Sequence, residues 1–560
     1  MSISRNLKQF NTNKSYGLIG IGENSSKLIN DFIYIFDDKL NIEEVNNIDN
    51  LSDELNDSRY DGYICCCYDR NNAKSKLAAA GLKYNIDFFF AEDLFELLDD
   101  WKGCRIAYKS YPGNIDGWLK AIVFGHAARH GIVMPEDKFR YIVTKKHVAK
   151  TENVLVRRTS YVLNLIPGLF EWIFQAGAKN NDYKKYDYIC FYSVADAIRF
   201  SNDFPSLKEK VITTEELKVH TMSSLFMRET YFDKRQTKCE CVFPFNTLWV
   251  GKGGSGRLCD CPDYLDIGFG NIGVTGLNKI WNSPLARIIR LSVVNNTYTF
   301  CSRTLCGNLS DDKESGTLLK RREISENGSP NRINIANDSV CNLHCPSCRK
   351  QIYARNTDDA NIEISTCTDV LINAGWLDKT EELIVGGGGE TFLSDYYKRV
   401  LCGEGSKRKS VTIMTNGTLF TLKEWEQLEG KYEHIKFMVS IDAATKDTYE
   451  KVRCGGNWNK LMDNMSFMSE LRRNNKIDEV TVIMIVQKAN YKEIPDFIRW
   501  AKDKGFDKVS LSHIRNWWTF EDDYFHDNVS MFDRSGHIKT ELKEIMDNPI
   551  CSDSVVVTSW

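Results

Sequence analysis

The sequence predicts an α/β fold with a parallel sheet, for three reasons. Short apolar runs recur along the second half of the chain, segments of helical pattern separate them, and most runs end in glycines or polar residues. Strands that alternate with helices are typical of parallel sheets, whose functional residues follow the C-terminal strand ends. A chain of 560 residues accommodates roughly two to four domains.

The N-terminal third begins with an apolar strand pattern, Tyr16–Gly22, and a helical pattern follows at 26–32. Further strand patterns, of which the last two are alternatives for closing the sheet, lie at 34–36, 63–67, 88–90 and 105–108. The glycines resemble those of Rossmann-type βαβ units, which admit a phosphate at a helix N-terminus. However, Ser25 replaces the third glycine, and the acidic pair at 37–38 lies closer to the first strand than that pattern requires. We predict a Rossmann-like domain over 1–110 that either binds a nucleotide or is purely structural.

The region 111–235 mixes helix and strand patterns and has no motif that indicates chemistry. Its most apolar stretch, 161–178, is interrupted by polar residues, whereas a membrane span needs about 18 uninterrupted apolar residues. We interpret this stretch as a buried helix, with a peripheral membrane helix as the alternative, and predict no transmembrane segment.

A cysteine-rich module is predicted over 236–310. Its six cysteines are Cys239, Cys241, Cys259, Cys261, Cys301 and Cys306. The surrounding motifs resemble the SPASM domain, an auxiliary iron–sulfur module, although here the module precedes the core and has too few cysteines for two clusters. The resemblance implies one auxiliary [4Fe–4S] cluster with the following ligands: Cys241, Cys259, Cys301 and Cys306. The two remaining cysteines are alternates, and a zinc ribbon is the competing interpretation because four cysteines suit either metal.

A polar segment, 311–330, is predicted to link this module to the core. The core then shows six apolar strand patterns, at 332–336, 382–385, 411–414, 435–439, 480–486 and 509–514. Helical patterns lie between them, most clearly at 458–473 and 492–504. The polar or glycine-rich strand ends read Gly386–Glu390, Thr415–Gly417, Ser440–Asp442 and Gln487. Because the C-terminal ends of parallel strands meet at one edge, we expect these residues to form one site.

Three cysteines follow the first core strand, with three and then two residues between them: Cys341, Cys345 and Cys348. Three thiolates at this spacing can hold three irons of a four-iron cluster. Electron-transfer clusters normally take four cysteines, so the missing ligand indicates an iron kept open for chemistry. The alternative is a fragment of a structural zinc site, which needs four ligands.

Together these motifs resemble the radical S-adenosylmethionine (SAM) superfamily over residues 333–519. The resemblance implies a partial (β/α)6 barrel over 331–530, with 531–560 as a C-terminal extension. It also implies that the three cysteines hold a [4Fe–4S] cluster whose open iron is chelated by SAM. One departure is Ser347, where the family often has an aromatic residue.

The predicted cofactor-binding residues lie on the loops after the strands: Gly388, Gly389, Glu390, Asn416, Ser440, Asp442 and Gln487. The resemblance implies that the Gly-Gly-Glu loop contacts the amino group of SAM, and that Ser440 and Asp442 face its ribose or carboxylate. Glu390 is suited to accept a charge-assisted hydrogen bond from an ammonium group. Glycines allow a close approach of backbone and ligand.

The resemblance implies reductive cleavage of SAM to a 5′-deoxyadenosyl radical that abstracts hydrogen from a substrate. The Rossmann-like domain favours a carbohydrate or nucleotide sugar as that substrate, whereas the SPASM-like module favours a ribosomally made peptide or protein. A non-catalytic iron–sulfur sensor or binding protein is the third hypothesis. An enzyme of this kind also needs an electron donor such as flavodoxin or ferredoxin.

Composition limits the partners further. A net charge of −3 and a pI of about 6.4 do not favour a nucleic-acid partner, which selects for a basic surface. Half of the 18 cysteines cluster at metal-type spacings, and no cleavable signal precedes them. We therefore expect a reducing, cytoplasmic setting.

Overall fold

The structure is a computed structural model. It describes residues 14–20, 41–45, 60–94, 106–109, 188–213, parts of 215–309, 329–349 and 357–559, with short gaps inside several ranges. Several predicted features lie outside the described residues: Gly22, Ser25, 26–32, 34–36, 161–178 and Cys261. The chain forms two compact units, one of Met1–Phe245 with Cys261–Glu326 and one of Asn246–Asp260 with Asn327–Trp560.

The first sheet of the N-terminal unit has four parallel strands in the order β2-β1-β3-β4. They are β1 (Ser15–Gly20), β2 (Asn41–Val45), β3 (Gly62–Cys66) and β4 (Phe88–Phe90). The helices Arg70–Ala79 and Ala91–Leu94 follow β3 and β4, and Leu77 packs against Tyr63 and Phe88 in the core of this sheet. Strands were expected at the positions of β1, β3 and β4, and β4 is the predicted candidate that extends the sheet.

The other candidate for closing that sheet belongs to a second one. In the order β5-β6-β7, three parallel strands pair: β5 (Ile106–Lys109), β6 (Tyr188–Phe191) and β7 (Val211–Thr213). Between β6 and β7 lie the helix Val194–Asp203 and the 3-10 helix Pro205–Lys210. The Ser193 hydroxyl caps the first of these helices by accepting from the Asp196 N–H.

Further helices in the described part of the chain are Phe243–Asn246, Ile272–Thr275, Leu277–Trp281 and Pro284–Val294. Arg290 is buried and joins two of them, because its guanidinium donates to the carbonyls of Pro244 and Trp281 at 2.8 Å each. The same guanidinium lies 4.2 Å from the centre of the Trp281 ring. These contacts give the buried charge two hydrogen bonds and an aromatic face.

The second unit contains a nine-stranded sheet in the order β16-β15-β14-β13-β12-β11-β10-β8-β9. Its strands are β8 (Thr247–Val250), β9 (Gly256–Arg257), β10 (Arg332–Ile335), β11 (Glu382–Val385), β12 (Arg408–Thr415), β13 (Tyr432–Ser440), β14 (Glu479–Val486), β15 (Lys508–His513) and β16 (Val556–Ser559). All neighbours pair in parallel except β8 and β9. The six predicted core strands are confirmed, as β10 to β15, within a mixed α/β fold.

Eight α-helices of this unit lie in its described residues: Asp358–Asn373, Asp395–Cys402, Leu422–Leu428, Lys446–Val452, Trp458–Arg473, Ile494–Asp503, Asp522–Asn528 and Thr540–Met546. Short 3-10 helices span Lys252–Gly254, Tyr491–Glu493 and Pro549–Ser552. The predicted helix at 458–473 is confirmed in full, and Asn457 caps it by accepting from the Lys460 N–H at 2.9 Å. No described helix of the chain has the length and apolarity to cross a membrane.

The two faces of the core sheet differ because successive side chains of a strand point to opposite sides. One face carries apolar side chains that are fully buried, among them Leu248, Ile333, Leu383, Val411, Phe437 and Val482. The other, here called the mixed face, carries their neighbours in register: Trp249, Asn334, Ile384, Thr412 and Lys436. The loops that follow the strands therefore lie at one edge, next to a face that is partly polar.

An unexpected member of this sheet is β8. Sequence analysis places residues 247–250 inside the cysteine-rich module, yet β8 pairs in parallel with β10, the first core strand. The Ala336 N–H donates to the Val250 carbonyl at 2.8 Å and extends this pairing by one step. Pairing between segments so far apart in sequence leaves no local pattern from which it can be predicted.

Candidate active site

The three cysteines of the predicted cluster lie on the loop that follows β10, and they differ in exposure. Cys345 is buried, Cys341 is half-buried and Cys348 is exposed. Burial raises the pKa of the Cys341 and Cys345 thiols. The three thiols also influence one another electrostatically, which places them within one small region.

Two arginines lie beside these thiols. The Arg349 Nε and Nη2 atoms are 3.4 and 3.3 Å from the Cys348 sulfur, and Nη1 donates to the Ser339 carbonyl at 2.8 Å. The Arg453 Nη1 atom is 3.9 Å from the Cys345 sulfur. Arg349 lowers the pKa of the Cys341 thiol and Arg453 lowers that of the Cys345 thiol, in both cases against the effect of burial. Positive charge next to three thiols favours the thiolate form, which is the metal-binding form.

Arg453 also forms a buried ion pair with Asp442, through Nη2 and Oδ2 at 2.8 Å. The other carboxylate oxygen of Asp442 accepts from the Ile485 N–H at 2.8 Å. Burial raises the pKa of the Asp442 carboxyl, while the guanidinium and the N–H act in the opposite direction. Asp442 has a φ of 66°, a left-handed conformation that persists because these contacts hold it.

Glu390 is 1% exposed and its carboxylate accepts three hydrogen bonds. The Thr415 hydroxyl donates at 2.6 Å, the Asn416 N–H at 2.7 Å and the Phe392 N–H at 3.2 Å. Burial raises the pKa of this carboxyl, and the hydrogen bonds oppose the rise. Glu390 therefore ties the loop after β11 to the loop after β12. A carboxylate has about four acceptor positions, so roughly one remains for a ligand.

The glycines of the same loop pack against protein backbone. A Cβ atom at Gly388 would lie 2.6 Å from the Ala336 carbonyl oxygen, and one at Gly389 would lie 2.2 Å from the Val340 carbonyl oxygen. Both carbonyls belong to the segment that leads from β10 to Cys341. Sequence analysis explains these glycines by ligand approach, whereas the structure shows that they let two loops of the chain meet.

The remaining predicted residues fall into two groups. Asn416 lies with the cysteine loop, since its Nδ2 atom is 3.9 Å from the Cys341 sulfur and donates to Asn342 Oδ1 at 2.9 Å. Gln487 is connected to Asp442 through Asn490, whose amide accepts from the Gln487 N–H and donates to the Asp442 carbonyl, both at 2.8 Å. Ser440, the last residue of β13, is partly exposed on the mixed face.

Sequence reasoning missed both arginines of this site. Arg349 directly follows the third cysteine, and Arg453 precedes a glycine pair, so their positions were visible. Gly455 has a φ of 87°, and a Cβ there would lie 3.1 Å from the His344 ring. The His344 N–H donates to the Cys454 carbonyl at 3.0 Å. The loop that carries Arg453 is thus held against the cysteine loop.

The cysteine-rich module brings four of its cysteines into one apolar cluster with Phe245 and Tyr298: Cys239, Cys241, Cys301 and Cys306. The Tyr298 hydroxyl donates to the Cys239 carbonyl, which fixes the first cysteine in the cluster. Cys259, one of the predicted ligands, is buried in the other compact unit. Among the residues that the structure describes, no group of three or more His, Cys, Asp or Glu side chains is placed to hold a metal ion.

Residues 339–501 match the family model of the Radical SAM superfamily. A curated relative is the tungsten-containing aldehyde ferredoxin oxidoreductase cofactor-modifying protein of Pyrococcus furiosus, 24% identical over 179 residues, which are 31% of this chain and 49% of the relative. The chain thus spans about half the length of that relative.

Similar solved structures include Streptococcus suis SuiB bound to S-adenosylmethionine, at 16% identity and a TM-score of 0.29, over 41% of this chain and 51% of that one. They also include anSMEcpe with bound AdoMet and a Kp18Cys peptide, at 20% identity and a TM-score of 0.24, over 33% and 51% of the two chains.

Proposed function

The chain belongs to the radical SAM superfamily, and on that premise we propose that Cys341, Cys345 and Cys348 hold its [4Fe–4S] cluster. The protein is accordingly a radical SAM enzyme that uses this cluster and SAM. When bound, the cluster supplies the electron that cleaves SAM to a 5′-deoxyadenosyl radical. What supports the assignment is that three thiols on one loop lie beside two guanidinium groups, Arg349 of the same loop and Arg453 of another.

The same region offers groups for the two ends of the methionine part of SAM. We propose that the free acceptor position of Glu390 receives the ammonium group, and that Arg453 binds the carboxylate. Arg453 Nε is buried and has no hydrogen-bond partner among the described residues, so a ligand atom would satisfy it. Ser440, Asp442, Asn416 and Gln487 remain the proposed surroundings of the rest of SAM.

We further propose one auxiliary [4Fe–4S] cluster in the module 236–310. The predicted ligand set includes Cys259. An alternative set uses Cys239 in its place, which the apolar cluster of four cysteines within one compact unit supports. Four cysteine ligands leave no open iron, so this cluster is suited to electron relay rather than to substrate binding.

The proposed reaction is hydrogen abstraction from a carbohydrate or nucleotide sugar within a partial (β/α)6 barrel. The parallel N-terminal sheet, in which β1 ends at Gly20, supports a nucleotide-binding domain in the first compact unit. A peptide substrate is the second candidate, favoured by the cysteine-rich module. We propose that a flavodoxin or ferredoxin delivers the electron near Cys348, the exposed ligand.

The test is SAM cleavage by the reconstituted, dithionite-reduced protein. The wild type should release 5′-deoxyadenosine, whereas the triple variant Cys341→Ala, Cys345→Ala, Cys348→Ala should release none and lose about four irons. Cys402→Ala, which removes a half-buried cysteine outside the site, is the control and should behave like the wild type. Unchanged release of 5′-deoxyadenosine by the triple variant would show that these three cysteines do not hold the cluster. Iron without cleavage in the wild type would favour the sensor hypothesis.

A further inference from the structure

The hairpin of β8 and β9 lies outside the segment that matches the family, yet it extends the core sheet beyond β10. Trp249 of β8 is in register with Asn334 of β10, and Arg257 of β9 is in register with Trp249. These three residues, here called the hairpin surface, therefore form one row across three strands.

The hairpin surface lies on the mixed face of the sheet. Leu248 and Val250 are fully buried on the opposite face, so the residue between them points away from that core. The row continues through the register partners Ile384 and Thr412 to Lys436 in β13. Ser440 lies four residues further along β13 and therefore on the same face. The hairpin surface and Ser440 of the proposed site therefore share one face of the sheet.

Its chemistry combines a cation, an aromatic ring and a buried acceptor. The Arg257 guanidinium carbon lies 5.5 Å from the centre of the Trp249 ring, and both side chains are partly exposed. Asn334 is 8% exposed, and its Oδ1 atom accepts no hydrogen bond within the described part of the chain. A buried acceptor without a donor costs stability, so this atom indicates a missing ligand group.

A second arginine of this face lies at the other end of β10. Arg332 forms an ion pair with Glu382 of the neighbouring strand. It supplies a control for the effect of removing one arginine from this face.

We propose that the hairpin surface recognises an anionic group of the substrate, a carboxylate or a phosphate. Arg257 binds its oxygens, since a guanidinium matches these groups with two parallel hydrogen bonds. Trp249 stacks on the adjoining ring or apolar part, and Asn334 accepts from a neighbouring O–H or N–H. This inference rests on the proposed function, because it concerns the molecule on which the radical acts.

The test is calorimetry on the reconstituted full chain with SAM present, using two probes. UDP-glucose supplies phosphate and tetraglutamate supplies carboxylates. The wild type should bind one of them, Arg257→Gln should weaken that binding about tenfold or more, and Arg257→Lys should weaken it less. Trp249→Phe should retain most of the affinity. Arg332→Gln, the matched control, should bind like the wild type.

If Arg257→Gln fails to fold, Asn334→Asp replaces it, because a carboxylate there should repel an anionic probe. Binding of either probe that is insensitive to these variants overturns the inference, and so does the absence of wild-type binding at millimolar probe. Release of 5′-deoxyadenosine by the wild type without substrate is measured in the same preparation. If release persists while binding fails, only this inference falls. If release is absent, the proposed function itself is wrong.

Discussion

At the scale of single residues, the site depends on two buried carboxylates that are satisfied differently. Glu390 has three hydrogen-bond donors and forms no ion pair with a described residue, whereas Asp442 has the guanidinium of Arg453. Isolated buried charges are costly, and burial raises the pKa of both carboxyls, but only Asp442 is also paired with a cation. Glu390 should therefore be tested by a change of pH, and Asp442 by removal of Arg453.

The stability of the protein should depend on pH through Glu390. Because burial raises its pKa, the folded protein keeps the proton to a higher pH than the unfolded chain. The free energy of unfolding should fall as pH rises from the ordinary glutamate value of about 4.3 towards the raised value. Glu390→Gln removes this component, so the wild type should lose stability relative to the variant as the pH rises.

Anaerobic urea unfolding of both proteins between about pH 5 and pH 8 measures this difference. Glu381→Gln, an exposed carboxylate nearby, is the control and should leave the pH dependence unchanged. A constant difference between Glu390→Gln and the wild type across the range would contradict the prediction.

Arg453 should contribute several kcal/mol to the free energy of unfolding through its pair with Asp442. Arg453→Gln leaves a buried carboxylate without its cation, which typically costs about 3–5 kcal/mol. The double variant Arg453→Gln, Asp442→Asn should recover part of this loss, as urea unfolding will show. Arg399→Gln breaks a pair with Asp369 that is about half exposed, and this control should lose only about 1 kcal/mol or less. Equal losses in the two single variants would refute the role of burial.

At the scale of elements, the site is formed where the glycine loop after β11 meets the cysteine loop after β10. No side chain fits at Gly389, because the Val340 carbonyl would lie 2.2 Å from its Cβ. The two loops therefore keep their spacing only with glycine at this position. The geometry of the three cysteines depends on a residue that carries no functional group.

Gly389→Ala should push the cysteine loop aside and reduce cluster loading. Iron content and visible absorption after reconstitution should both fall well below those of the wild type. Gly430→Ala is the control, since nothing lies within 4 Å of a Cβ there and its φ of 80° adds only backbone strain of about 1–2 kcal/mol. Full cluster loading in Gly389→Ala would show that the loops have room to adjust.

The core strands were predictable because each is a short run of β-branched and apolar residues that ends in a glycine or a polar residue. The helix at 458–473 was predictable from its sequence pattern, and the capping residue Asn457 marks its start. The pairing of β8 with β10 was not, since register between distant segments leaves no local signal. Neither were two of the three partners of Glu390, since Thr415 and Asn416 lie on another loop, 25 and 26 residues away. Contacts between loops are set by tertiary packing, so they cannot be predicted from local patterns in a single sequence.

At the scale of the whole molecule, the open point is which cysteines hold the auxiliary cluster. In the background of the triple variant that lacks the first cluster, about four irons should remain. If the set within one compact unit is correct, Cys239→Ser should remove them and Cys259→Ser should not. The reverse result would restore the predicted set with Cys259. Zinc without sulfide in the triple variant would refute an auxiliary cluster altogether and make the module a zinc ribbon.

The pairing of β8 with β10 has a consequence for how such a chain can be recombined. A segment cut at residue 327 would keep all three cluster cysteines, yet it would expose the backbone donors and acceptors of β10 that β8 now covers. Open strand edges promote pairing between chains and aggregation. Any exchange of the upstream region during evolution, or in protein engineering, therefore has to carry residues 247–250 or an equivalent strand with the core. The second compact unit is built from two separate stretches of the chain, so a single cut in the gene does not separate the two units.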